Sequence, residues 1–146
     1  MSGEEHNRNL CKSIVNEIEA YCDRRMYRCP DCGEILEWSD DDYNLEESEY
    51  TCPHCGKTFD DDELESLSIY DYLNKNAYDV EYRIDASGNY KSVQIMVAVG
   101  GPNIYIDTAD DRVKLFWWLE RAEYSFLPDV RDAIDEYYEQ EYENMR

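Results

Sequence analysis

Cys29-Pro30-Asp31-Cys32-Gly33 and Cys52-Pro53-His54-Cys55-Gly56 are two copies of one Cys-Pro-x-Cys-Gly knuckle, with nineteen residues between Cys32 and Cys52. A CxxC turn brings two thiolates within reach of one ion and aims its amide N–H groups at the sulfurs. The glycine after the second cysteine lets the chain adopt the left-handed conformation that closes the turn. Two such turns joined by a hairpin complete a tetrahedral sulfur site with no open position, and a site of that kind holds structure rather than performing a reaction. The spacing is that of a zinc ribbon, so Cys29, Cys32, Cys52 and Cys55 are the expected ligands and Zn2+ the expected cofactor. Two separate disulfide or redox pairs form the competing reading, and His54 in place of one thiolate is a minor variant of the metal site. The remaining pair, Cys11 and Cys22, falls eleven positions apart. On a helix that is about 16 Å, too far for a disulfide, and both are expected to be small buried hydrophobes.

Other chemistry is thin. Only His6 and His54 offer the side chain most used for acid–base work near neutral pH, one near the amino terminus and the other inside a knuckle. Gly100-Gly101 is not embedded in a phosphate-binding pattern and reads as a turn. The carboxylates are abundant but follow loops and helix faces rather than a defined acid–base geometry. The chain is therefore not expected to be an enzyme.

Several elements must position the knuckles. Leu10, Cys11, Ile14, Val15, Ile18, Tyr21 and Cys22 recur at three and four, which predicts an amphipathic helix from about Asn7 to Met26 leading into the ribbon. Between the knuckles, Ile35, Leu36 and Trp38 form one short strand and Tyr50 to Cys52 its partner, joined by a mobile acidic loop. Asp60 with Glu63 resembles a helix-start box, and Leu64, Leu67, Tyr70 and Leu73 extend a second helix to about Asn76. The period then changes to alternation. Val80, Tyr82 and Ile84 and then Val93 to Val99 make a hairpin around Ser87-Gly88-Asn89, followed by strands at Ile104 to Ile106 and Val113 to Trp118. The last strand is apolar on both sides, which predicts cover on both faces. Pro128 suits the first turn of a closing helix, with Val130, Ile134, Tyr137, Tyr138, Tyr142 and Met145 on one side. The fold class expected is α+β: a four-stranded antiparallel sheet with packed helices and an inserted four-cysteine zinc ribbon. As domains, 1–146 is one compact unit, 27–59 the inserted ribbon, and 60–146 helix, sheet and carboxy-terminal helix.

Charge bounds the partners. The chain has 35 Asp and Glu against 14 Lys and Arg, a formal charge of -21, and four thiolates with one divalent ion take this to -23. Direct nucleic-acid binding needs clustered cations, and there are none. Thirteen acids lie between Glu34 and Glu65 with a single cation, Lys57. Asp40, Asp41, Asp42, Glu46, Glu47 and Glu49 sit between the knuckles; Asp135, Glu136 and Glu139 lie on the closing helix near its carboxyl end, where the dipole prefers cations. Self-repulsion of this size destabilises a fold, so these two acidic groups are the candidate surfaces for an electropositive protein partner, with solubility as the plain alternative. Fourteen tyrosines supply contact area suited to such an interface. No amino-terminal apolar stretch resembles a signal peptide and no run approaches the length that spans a bilayer, so a soluble, cytosolic protein is expected, in a compartment that keeps thiols reduced.

The knuckles, together with Gly100-Gly101-Pro102-Asn103-Ile104-Tyr105-Ile106-Asp107-Thr108 and Trp117-Trp118, resemble small zinc-binding proteins of phages and mobile elements, anti-CRISPR inhibitors of the type II effector nuclease among them. The resemblance implies a protein of the bacterial host cytoplasm that binds the nuclease's recognition lobe and blocks target DNA loading, by steric exclusion or nucleic-acid mimicry. The alternative is a zinc-ribbon adaptor for a basic host transcription or nucleic-acid-processing protein.

Overall fold

A computed structural model describes residues 3–146, with side chains from Glu5 onward except at Asp61. The fold is α+β, with three helices and three antiparallel sheets of three, five and three strands. By contacts it divides into two units, one formed by the chain up to Glu19 with Ile69–Arg146 and the other by Ala20–Ser68; the expected ribbon at 27–59 lies inside the second.

Helix α1 (Gly3–Cys22) ends earlier than its apolar period suggests. Arg24 takes a left-handed φ of 61°. Its amide bonds Tyr21 O at 3.2 Å and that of Arg25 bonds Ala20 O at 2.9 Å, the paired closure that terminates a helix and satisfies its last carbonyls. Met26 is thereby released into a strand.

In Ala20–Ser68, β1 (Met26–Arg28) lies between β2 (Ile35–Glu37) and β6 (Glu65–Ser66), while β4 (Glu49–Thr51) lies between β3 (Tyr43–Asn44) and β5 (Thr58–Asp60). Here the expected pairing of Ile35–Trp38 with Tyr50–Cys52 is corrected. Each knuckle closes its own hairpin, Arg28 opposite Ile35 and Thr51 opposite Thr58. The acidic connection is folded rather than a loose loop, with Asp40–Asp42 forming a 3-10 turn capped by the Ser39 hydroxyl, which accepts from the Asp41 amide. Four rings fill the space between the sheets: Tyr50 lies 4.8 Å from Tyr27 and 4.6 Å from Trp38, and Trp38 lies 5.1 Å from Tyr43.

The predicted helix at Asp60 is also corrected. The Asp60 amide does donate to Glu63 Oε1 at 3.3 Å, but the turn is a single 3-10 one over Asp61–Glu63. Glu65 and Ser66 then pair with Arg28 and Tyr27, and the Leu67 amide bonds Met26 O, so strand contacts outcompete the local helix signal. Helix α2 starts only at Ile69 and runs to Asn76.

The other unit is built on one sheet, β11-β10-β9-β8-β7, all neighbours antiparallel. Its strands are β7 (Asp79–Ile84), β8 (Tyr90–Ala98), β9 (Asn103–Asp107), β10 (Arg112–Trp117) and β11 (Glu120–Ser125). Five strands replace the four expected; in β11 half of the six residues are charged. Val93, Ile95, Ile104, Ile106, Val113 and Leu115 are buried on one face, together with Cys11, Val15 and Ile18 of α1, Tyr72 and Leu73 of α2, and Val130, Ile134 and Tyr138 of α3 (Pro128–Met145). Helix α3 is tied to the sheet by tyrosine hydroxyls, Tyr90 donating to Asp135 Oδ1 at 2.6 Å and Tyr142 to Gly88 O at 2.6 Å.

The opposite face of the sheet carries Asp107, only 2 % exposed, which accepts from both Arg83 nitrogens at 2.7 and 2.8 Å and from Lys114 at 3.3 Å. Cover on both faces of β10 was the wrong inference from its double-sided apolarity. Phe116 and Trp117 are 38 % and 40 % exposed. No helix among the described residues is long and apolar enough to cross a membrane.

Candidate metal centre

The two knuckles repeat the same backbone. In the first, the Cys29 amide bonds Glu34 O at 2.9 Å and the Gly33 amide bonds Cys29 O at 3.0 Å. In the second, the Cys52 amide bonds Lys57 O and the Gly56 amide bonds Cys52 O, both at 2.8 Å. Gly33 and Gly56 have φ of 75° and 78°, where a side chain is strained, and so the glycine of each motif is required by geometry.

These turns bring the sulfurs of Cys29, Cys32, Cys52 and Cys55 within 4.8 Å of one another. Cys29 Sγ lies 3.7 Å from Cys55 Sγ, and Cys32 Sγ 3.9 Å from Cys52 Sγ. A tetrahedral ion with metal–sulfur bonds of about 2.3 Å separates its ligands by about 3.8 Å, so the spacing fits. Disulfide bonding does not fit, because bonded sulfurs lie about 2.05 Å apart and none of the six cysteines forms a disulfide. His54 is exposed and outside the cluster.

Electrostatics favours a cation at the centre. Burial opposes ionisation of Cys29, yet the amides of Cys32 and Asp31 bring its thiol down to about 7. For Cys32 the Glu34 amide favours the thiolate, but burial and the other three sulfurs outweigh it and the thiol is pushed up to about 12. For Cys55 the Lys57 amide, and to a lesser extent Cys32, favour the thiolate, but burial with the sulfurs of Cys52 and Cys29 outweighs them and the thiol moves up. Four thiolates this close cannot all ionise without a counter-charge, and a divalent ion supplies it. Lys57, the one cation of the acidic stretch, donates from Nζ to Asp31 Oδ1 at 2.9 Å and so links the second knuckle to the first. Its isolation among thirteen acids was a signal for this that composition alone did not interpret.

The acidic residues fall into two groups in different units. Between the knuckles, Asp40 accepts from Trp38 Nε1 at 3.2 Å and Asp42 from the Tyr50 hydroxyl at 3.3 Å, leaving Asp41 to solvent. Glu46 and Glu47 occupy the turn before β4, their amides bonded to Asn44 Oδ1; for Glu49 on β4, burial and then Glu47 raise the carboxyl above its ordinary range. On α3, Asp132, Asp135, Glu136, Glu139 and Glu143 line one shallow surface with no Lys or Arg in its lining, Arg131 and Arg146 reaching Asp132 and Glu143 from the ends. Asp135 is partly committed to Tyr90, while Glu136 and Glu139 are free to meet a partner.

Of the other thiols, Cys11 is fully buried and burial pushes it up to about 11, which makes it unreactive. Cys22 is half-buried. No protein-family model, curated protein or solved structure matches the chain.

Proposed function

We propose that the four-cysteine cluster holds Zn2+ and that the protein is a binding inhibitor of the type II CRISPR effector nuclease, engaging the electropositive recognition lobe and blocking target DNA loading. The observation that carries this reading is the α3 surface, where five carboxylates share one face with no cation in its lining. The ridge expected near the carboxyl end runs instead along the middle of α3, with only Glu143 in the last turn, where it pairs with Arg146, so the helix dipole neither favours nor opposes the face as a whole. A groove built to receive a nucleic-acid backbone is the surface such a face complements. The sulfur cluster serves as scaffold: its four ligands leave no position for substrate.

The test measures affinity for the guide-loaded nuclease across ionic strength, with target DNA binding followed in parallel. Binding should weaken steeply as salt rises, and DNA loading should fall as inhibitor is added. Reversal of Glu136, Glu139 and Glu143 to Lys should reduce affinity more than reversal of Asp41, Glu46 and Glu47 if the α3 face makes the contact. Salt-indifferent binding removes the electrostatic account, and unimpaired DNA loading removes the inhibitor; capture of transcription factors by a chain that ignores the nuclease points to the adaptor instead.

A further inference from the structure

The β10–β11 hairpin turns on two residues. Trp117 pairs with Glu120, which leaves Trp118 and Leu119 alone to reverse the chain. Two-residue hairpin turns need positive φ at the first or at both central positions, and so normally carry Gly, Asn or Asp. Here Trp118 takes that conformation with φ of 57°. It is also 91 % exposed, and Leu119 is 101 % exposed. A turn shaped only by folding would hold a small residue at this place, and one shaped by solubility would hold a polar pair. A large apolar side chain stands at both positions, and at Trp118 it stands on a positive φ. Phe116 and Trp117 follow below the turn, one on each face of the sheet, with Arg121 lying 5.8 Å over the Phe116 ring. Glu120 at the base is fixed by Asn7 Nδ2 at 2.9 Å.

Backbone strain in an exposed tryptophan is a sign of contact rather than of packing. Charge selects the occupant. A second copy brings another -21 to the interface, and anionic lipid and nucleic acid are likewise repelled; a cationic protein is the partner that long-range attraction brings to the tip. We infer that Trp118 and Leu119 form an anchor that inserts into an apolar pocket on the positively charged protein partner, supplying the desolvated hot spot that the acidic faces cannot. This inference rests on the reading under Proposed function, with the guide-loaded nuclease as the partner tested.

The experiment compares wild type with Trp118→Gly/Leu119→Asn, which installs residues the turn prefers, and with Trp118→Asn, which also tolerates positive φ. Both variants should melt no lower than wild type while their affinity for the guide-loaded nuclease falls at least tenfold. The slope of affinity against salt should not change, because no charge has been altered. Undiminished affinity overturns the anchor alone. A wild-type chain that does not bind the nuclease overturns the functional reading and this choice of occupant with it. A lower melting temperature in both variants makes Trp118 a packing residue and also overturns it. Wild-type self-association in sedimentation that the variants abolish assigns the tip to a second copy, and flotation on phosphatidylcholine vesicles that the variants abolish assigns it to lipid; either result contradicts the proposal.

Discussion

Between Ala20 and Ser68 the buried side chains are mostly rings and sulfurs, Tyr21, Tyr27, Tyr50, Cys29 and Cys52 with Leu67, whereas the sheet unit buries branched aliphatics from three adjacent strands and closes them under helices. The strands differ in the same way. Those of Ala20–Ser68 are two or three residues long, below the length at which a hairpin holds itself, while β8 has nine residues and β10 six. Short strands leave the knuckles to be held by the sulfur cluster and the ring stack. Longer strands with a common apolar face need no such cross-link. On the proposed reading, one chain contains a unit whose order depends on a metal held by the four cysteines and a unit whose order depends on area removed from water.

The largest effect should come from breaking the first kind of order. Cys29→Ser or Cys52→Ser should lose the metal, and the amides of Gly33 and Gly56 should exchange freely with solvent while those of β8 to β10 stay protected. Structural zinc contributes apparent energies of about 10–16 kcal/mol in small modules, more than the strands here can replace. Protected knuckle amides in a metal-free variant would remove the distinction between the units.

The second kind of order is broken by Leu115→Ala, at a fully buried position between β9 and β11. It should cost about 2–5 kcal/mol in denaturant melts and leave metal stoichiometry unchanged. Loss of metal alongside would show that the units do not fail separately.

A smaller effect sharpens the comparison by pH. Burial works against ionisation of Asp107, but Arg83 and the Ala109 amide, with Lys114, hold its carboxyl below the ordinary range. A lowered folded value means that this contact stabilises fully above the unfolded carboxyl value of about 4 and that the contribution is lost as pH falls through the folded value. Asp107→Asn should cost about 1–3 kcal/mol at neutral pH. Its melting temperature should then fall less than that of the wild type on acidification from neutral to about pH 3, below that unfolded carboxyl value. Parallel acid profiles would show that Asp107 is not the titrating group.

The sulfur ligands were legible because a knuckle is a local motif: residue type, glycine and spacing all lie within five positions. The sheet strands from Val80 to Trp117 were legible through alternation, and α3 through its proline and its apolar period. Pairing was not, since it depends on residues far apart in sequence. The Cys29–Glu34 amide bond, and its Cys52–Lys57 counterpart, folds each knuckle back on itself, so the flanks of one knuckle must pair with each other before they can pair with the next. Strand β11 escaped notice because only Ala122 and Tyr124 turn inward among charged neighbours. The start box at Asp60 formed as read, but Leu67 found a buried place beside β1, which no local pattern specifies. Double-sided apolarity at the end of β10 goes with exposure of Phe116 and Trp117 where cover was expected.

On the proposed reading, four sulfurs and nothing else hold one ion and, through it, the unit between Ala20 and Ser68. X-ray absorption at the zinc edge, on full-length protein purified under reducing conditions without added metal, tests it most directly. The predicted result is one zinc per chain with four sulfur neighbours at about 2.3 Å. A nitrogen or oxygen bonded directly to the metal, fewer than four sulfurs, or protein that is folded and metal-free would contradict it.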